Sequence, residues 1–145
     1  MNRKIPTEQD YKNYKGAHTP ILWNQLNESW ICPSCKRTKF QILRWSKRYT
    51  NKSNNGVYLS SYMGFIAPLH KHHDHSEHKR FNEIIICDQC NSADGIAKKY
   101  LKIQSQFSFS PREISQFIIA TPHNKHKIIF EKAKLIYQNI KEPGQ

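Results

Sequence analysis

The chain has 145 residues, with 23 Lys and Arg against 11 Asp and Glu and a formal net charge of +12. That length fits one domain with a modest core and is too short for two. The charge favours a polyanionic partner, nucleic acid first, while the lack of a long apolar run, an export signal or a basic amphipathic helix argues against a membrane.

Residues 1–18 are polar and basic without periodicity, so they read as an N-terminal arm that orders only on a partner, ahead of a single domain at 19–145. Thr19 and Pro20 make a cap and first-turn pair, and Leu22 and Leu26 lie one helical turn apart, which predicts a short helix to about Asn27. A strand is expected from Phe40 to Trp45, a turn at "TNKSNNG", and a second β-like stretch at "VYLSSYMGFIAPLH", so that a β-hairpin is inserted between two cysteine pairs. "EIIIC" reads as a short apolar strand. Asn91 is expected to cap a helix that carries Asp94 at its third position, with Ile96, Ala97, Tyr100 and Leu101 on one face. Ser110-Pro111-Arg112-Glu113 is a capping box for a helix that runs to Pro122, and an amphipathic helix with Ile129, Ala133, Ile136, Tyr137 and Ile140 on one face closes a C-terminal helical part at 108–141. Trp23, Trp30 and Trp45 are assigned to the core.

Cys32-Pro33-Ser34-Cys35 and Cys87-Asp88-Gln89-Cys90 each place two thiols on a tight turn. Without an export signal the chain is expected in the cytoplasm, where paired Cys-x-x-Cys units read as metal ligands rather than disulfides. Together the four sulfurs complete the tetrahedral shell of one structural Zn2+, a site that can supply on the order of 10 kcal/mol of folding free energy. Such a closed shell has no open position and cannot itself be a reactive metal.

That leaves "HKHHDH" at 70–75 to be explained. The order here is a strand ending in histidines, a loop, the strand "EIIIC" and then a helix, which is a ββα unit at about 68–103. A histidine at the end of the first strand and an amide oxygen near the helix start can meet across it around a hydrated cation.

"HKHHDH" followed by "CDQCNSADG" resembles the HNH, or ββα-metal, endonucleases, and is most similar to the phage recombination endonuclease VII group. The resemblance spans about residues 30–103. It implies an α+β fold with a small zinc-stapled, treble-clef-like core, and a general base at His73. His72 and Asn91 would then hold a catalytic divalent cation, Mg2+ or, since imidazole favours softer ions, Mn2+, Co2+ or Ni2+. Asp74, His75 and Asp94 become supporting residues, with Asp74 and His75 as a substitute pair, and Asn82 matches the middle Asn that holds the histidine loop in shape. The implied activity is hydrolysis of DNA phosphodiester bonds, in a restriction, mobile-element or junction-resolving role on duplex or branched DNA. Cutting both strands would favour a homodimer joined through the last helix.

Blander readings stand beside these. His70, His78, His123 and His126 are expected on the surface, and a second structural zinc among the histidines is an alternative ligand chemistry. Lys98, Lys99 and Lys102 are either a solvated face or phosphate contacts. For the whole chain the alternative to an enzyme is a non-catalytic zinc-ribbon module that binds nucleic acid.

Overall fold

A computed structural model describes residues 4–49, 55–57 and 60–141. The architecture is α+β, with short antiparallel strand pairs, helices and a four-cysteine cluster. Helix α1 (Glu8–Asn13) and helix α2 (Pro20–Gln25) lead to a single helical turn, α3 (Lys39–Ile42). Strands β1 (Arg44–Tyr49) and β2 (Ser61–Ile66) pair antiparallel, and so do β3 (Leu69–His72) and β4 (Ile84–Cys87). Helix α4 (Asp88–Leu101) follows β4 without a loop, and α5 (Pro111–Phe117), the two-residue pair β5 (Ile118–Ile119) and β6 (Lys127–Ile128), and α6 (Phe130–Lys141) complete the chain. Among the described residues no helix is long and apolar enough to cross a membrane.

Several expectations need correction. Residues 8–13 form a helix within the expected arm. Thr7 caps it by a reciprocal capping box with Asp10, and Tyr11 and Tyr14 set their ring edges on Trp23 at centroid distances of 6.0 and 4.8 Å. A six-residue helix is marginal alone, so this tertiary contact is what makes it persist. The strand expected from Phe40 begins only at Arg44, because Thr38 and Gln41 form a second capping box that winds residues 39–42 into a helical turn. The helix after Pro111 ends at Phe117, where the chain turns extended to pair with Lys127–Ile128. The inserted hairpin is present as β1–β2, and residues 50–54 and 58–59 of its predicted turn and return lie outside the described residues.

The core is small. Leu43, Ile86, Phe109, Ile114 and Phe117 are fully buried, and Ala93, Ala97 and Ala133 let α4, α5 and α6 approach one another closely. Each such large side chain contributes roughly 1.5–3 kcal/mol, and Phe109 sets its ring edge against both Phe107 and Phe117. Trp23 is buried as expected, whereas Trp30 and Trp45 are only half-buried.

Candidate metal centre and histidine cluster

Two different local structures deliver the four sulfurs. The first pair sits on a tight turn: the Lys36 amide donates to the Cys32 carbonyl at 2.9 Å, with Lys36 in the left-handed region at φ 65°, and the Cys32 amide donates to the Arg37 carbonyl. The second pair sits at the start of α4, where Cys87 is the N-cap and Cys90 lies in the first turn. The ligand atoms of Cys32, Cys35, Cys87 and Cys90 all lie within 4.8 Å of one another, with separations of 3.9 Å for Cys32–Cys90, 3.8 Å for Cys35–Cys87 and 3.5 Å for Cys87–Cys90. Sulfurs about 2.3 Å from a tetrahedral zinc stand about 3.8 Å apart, so this cluster fits a zinc-sized ion.

The surroundings of the sulfurs support a bound cation and two net negative charges. Arg37 is buried, donates from Nε to Cys35 Sγ at 3.2 Å and from Nη2 to Cys87 Sγ at 3.5 Å, and sends Nη1 to the carbonyls of Thr121 and Asn124, both at 3.0 Å. Burial works against its charge, and the sulfurs of Cys35 and Cys87 outweigh that cost, so its pKa stands above the ordinary arginine value. His126 approaches Cys90 Sγ through Nε2 at 3.2 Å. Neither residue was assigned a role from the sequence. Arg37 is two positions past Cys35, and a cation so close to a Cys-x-x-Cys unit was a usable signal; His126 lies 36 positions from Cys90 and carried none. His123, also expected on the surface, is half-buried and bonds through Nδ1 to the Leu43 carbonyl.

Among the described residues the cysteines are the one group of three or more Cys, His, Asp or Glu side chains close enough to share an ion, so a second structural zinc among the histidines finds no ligand set. The histidines instead divide. His72, the last residue of β3, is buried at 2 % exposure and stacks on Phe81 at 5.2 Å. Its Nε2 lies 2.6 Å from the Phe109 carbonyl, which can only accept, so that nitrogen carries a proton. The opposite nitrogen, Nδ1, lies 3.3 Å from Asn91 Oδ1. In the neutral ring, two lone-pair atoms therefore face each other. Adjacent octahedral ligands about 2.1 Å from a small divalent ion stand about 3 Å apart, so a cation fits between them. Fixing one ring nitrogen on a carbonyl while the other faces a metal is the usual arrangement of a ligating histidine.

His73 lies beyond the strand end, half-buried. Its Nδ1 donates to the Lys71 carbonyl at 3.2 Å, with Glu83 Oε1 3.8 Å away, and its ring meets the exposed His75 ring edge-on at 4.2 Å. The Lys71 bond sets the tautomer and leaves Nε2 as the free lone pair in the neutral ring.

The other assigned residues hold structure. Asp74 is fully buried and accepts from Ser76 N and Oγ, Arg80 N and Ser108 N. Asp94 accepts from the Phe109 amide at 2.7 Å and pairs with Lys98 Nζ at 3.1 Å. Both carboxylates, with His72, clamp the 107–109 segment onto the strand–strand–helix unit. Asn82 is exposed and its side chain makes no hydrogen bond among the described residues; Asp74 does the work expected of it, holding the loop after His73. Lys98 is likewise taken, by Asp94 and the Phe107 carbonyl, while Lys99 and Lys102 stay exposed. Asn91 is not the cap of α4. The helix starts at Asp88, because both sulfurs of the second pair must reach the cluster and a helical first turn brings them there, and Asn91 falls one turn in, facing β3.

Comparisons of the chain with protein-family models, with curated proteins and with solved structures return no match.

Proposed function

We propose that the protein is a metal-dependent DNA endonuclease of the HNH type that hydrolyses phosphodiester bonds. The observation that carries this reading is the His72–Asn91 pair: a buried imidazole whose tautomer is fixed by Phe109, with its other nitrogen facing an amide oxygen at 3.3 Å. The order β3, β4, α4, with the zinc-binding cysteines at the β4–α4 junction, is the arrangement the resemblance implies. A divalent ion held by His72 and Asn91 would bind a non-bridging phosphate oxygen and stabilise the leaving 3′-oxygen.

His73 is the general base of this reading. Its free Nε2 takes a proton from water as the water oxygen bonds to phosphorus, and the P–O3′ bond breaks with its electron pair on O3′; proton transfer of this kind is typically worth about 10²- to 10⁴-fold. His75, edge-on to His73, is the alternative base. The structural zinc takes no part in the reaction.

One observation favours a second reading, a zinc-ribbon module that binds nucleic acid without cutting it: His72 is 2 % exposed and its Nε2 is spent on the Phe109 carbonyl, the place and work of a structural histidine. Incubation of the zinc-loaded protein with plasmid, linear and four-way-junction DNA over Mg2+, Mn2+, Co2+ and Ni2+ separates the two. The nuclease gives product only with an added ion, and His73→Ala lowers the rate at least about a hundredfold with zinc and DNA binding intact. Cutting that His73→Ala leaves undiminished passes the role to His75. No product under any ion leaves the binding module.

A further inference from the structure

A groove of about 830 Å3 runs between the β1–β2 hairpin and the segment that carries β5 and β6. Its charged lining consists of Arg44 and Lys47 on the hairpin wall and Lys125 and Lys127 on the opposite wall, and no Asp or Glu lines it. Arg44 is 3.4 Å from Asp88, so part of its charge is already met. Lys47, Lys125 and Lys127 are exposed and form no ion pair among the described residues. Three exposed ammonium groups without ion-pair partners thus line one recess that holds no acid, which favours an anionic occupant.

The opposite wall is built in advance. Arg37 binds the carbonyls of Thr121 and Asn124, the His123 amide and ring donate to the Gln41 and Leu43 carbonyls at 2.8 and 2.9 Å, and His126 meets Cys90. These bonds fasten residues 121–126 to the zinc centre and to α3, so a ligand entering the groove does not bear the cost of ordering that wall. A solvated lysine face has no such support.

We propose that this groove seats the sugar–phosphate backbone of a nucleic acid, with Lys47, Lys125 and Lys127 on its phosphates. Cations on two opposed walls bracket a strand-shaped polyanion; a lipid surface is a plane and meets only the rims of a recess. The proposal shares the nucleic-acid partner with the nuclease reading and none of its chemistry.

The test uses zinc-loaded protein in three forms: wild type, Lys47→Gln/Lys125→Gln/Lys127→Gln, and a control, Lys15→Gln/Lys132→Gln/Lys134→Gln, which removes the same charge from exposed lysines outside the groove. Binding to a labelled duplex is followed by anisotropy over about 50–200 mM salt. Losing three phosphate contacts makes the slope of log K against log salt less negative by about 2.7 and weakens binding about tenfold or more at the low-salt end. The control keeps the wild-type slope. Equal losses in both triple variants reduce the effect to net charge and overturn the proposal, as does an unchanged groove variant. Stronger, groove-dependent binding to phosphatidylserine vesicles than to the duplex assigns the groove to a membrane and also overturns it. Duplex that is bound through the groove but never cut with any divalent ion sinks the nuclease reading alone.

Discussion

Nδ1 of His72 lies 3.3 Å from Oδ1 of Asn91, two atoms brought together across 19 positions of sequence. The relationship exists because β3 pairs with β4, with His72 opposite Ile84, and β4 runs straight into α4, whose first turns fold back along the strand pair. It gives His72 two contacts at once, with one nitrogen on the Phe109 carbonyl and the other facing the Asn91 amide oxygen.

That double role separates His72 from its neighbour. His72→Ala should lower stability by roughly 1–3 kcal/mol, because the buried Phe109 carbonyl loses its donor, and under the nuclease proposal should also abolish cleavage. His73→Ala removes a partly exposed ring and should change stability by less than about 0.5 kcal/mol while cutting the rate at least about a hundredfold. Urea midpoints and cleavage rates on the same preparations compare them. Equal stability losses in the two variants would show that the two rings carry the same structural load.

The purified protein should carry one zinc per chain, with X-ray absorption giving four sulfurs at about 2.3 Å. Cys90→Ser removes a buried ligand and should lose both metal and cooperative unfolding, since such sites supply on the order of 10 kcal/mol to folding. A folded Cys90→Ser protein without zinc would refute the structural role of the ion.

Arg37→Met leaves the ligands in place but strips two sulfurs and two carbonyls of their donor. A loss of roughly 3 kcal/mol is expected with zinc retained, and hydrogen exchange should speed up in residues 121–126. Arg37→Lys should not restore protection, because an ammonium cannot reproduce the planar fork that spans sulfurs and carbonyls. Unchanged exchange in that segment would dissociate it from the zinc centre.

Asp74 predicts an acid-sensitive loop. Burial works against its charge, but hydrogen bonds from Ser76 and Arg80 outweigh burial and hold its pKa below the ordinary carboxylate value. A folded-state pKa below the unfolded one contributes stability that is complete above the ordinary carboxylate pKa of about 3.9 and is lost as pH falls through the folded value. Asp74→Asn should therefore be less stable than wild type near neutral pH, with the gap narrowing as the solution is acidified. Urea unfolding at several pH values measures it, and a gap of constant size would mean that the Asp74 charge is not what the loop depends on.

Much of the chemistry was legible locally. A Cys-x-x-Cys unit is a short-range device, so two of them announce a metal shell before any fold is known. The Ser110–Glu113 box likewise starts α5 where it was read. The Thr7–Asp10 box went unread, since its acid is Asp rather than Glu and its helix persists only by packing Tyr11 and Tyr14 on Trp23. The histidine run was readable as a cluster but not as a division: His72 is the last, buried residue of β3 and His73 lies beyond it, half-buried, and that depends on where pairing with β4 stops.

The sequence by itself determined the two cysteine pairs, the net charge and the strand–strand–helix order, because each depends on residue type or on near neighbours. Tertiary structure alone decided that Asp74 and Asp94 clamp the 107–109 segment, that Arg37 also reaches Cys87 and His126 meets Cys90, and that lysines from two distant segments share one groove. A buried donor or charge takes whichever partner the packed chain brings within hydrogen-bonding distance, and the contacts Asp74–Ser108, Asp94–Phe109, Arg37–Cys87 and Cys90–His126 join residues 15 to 50 positions apart in sequence.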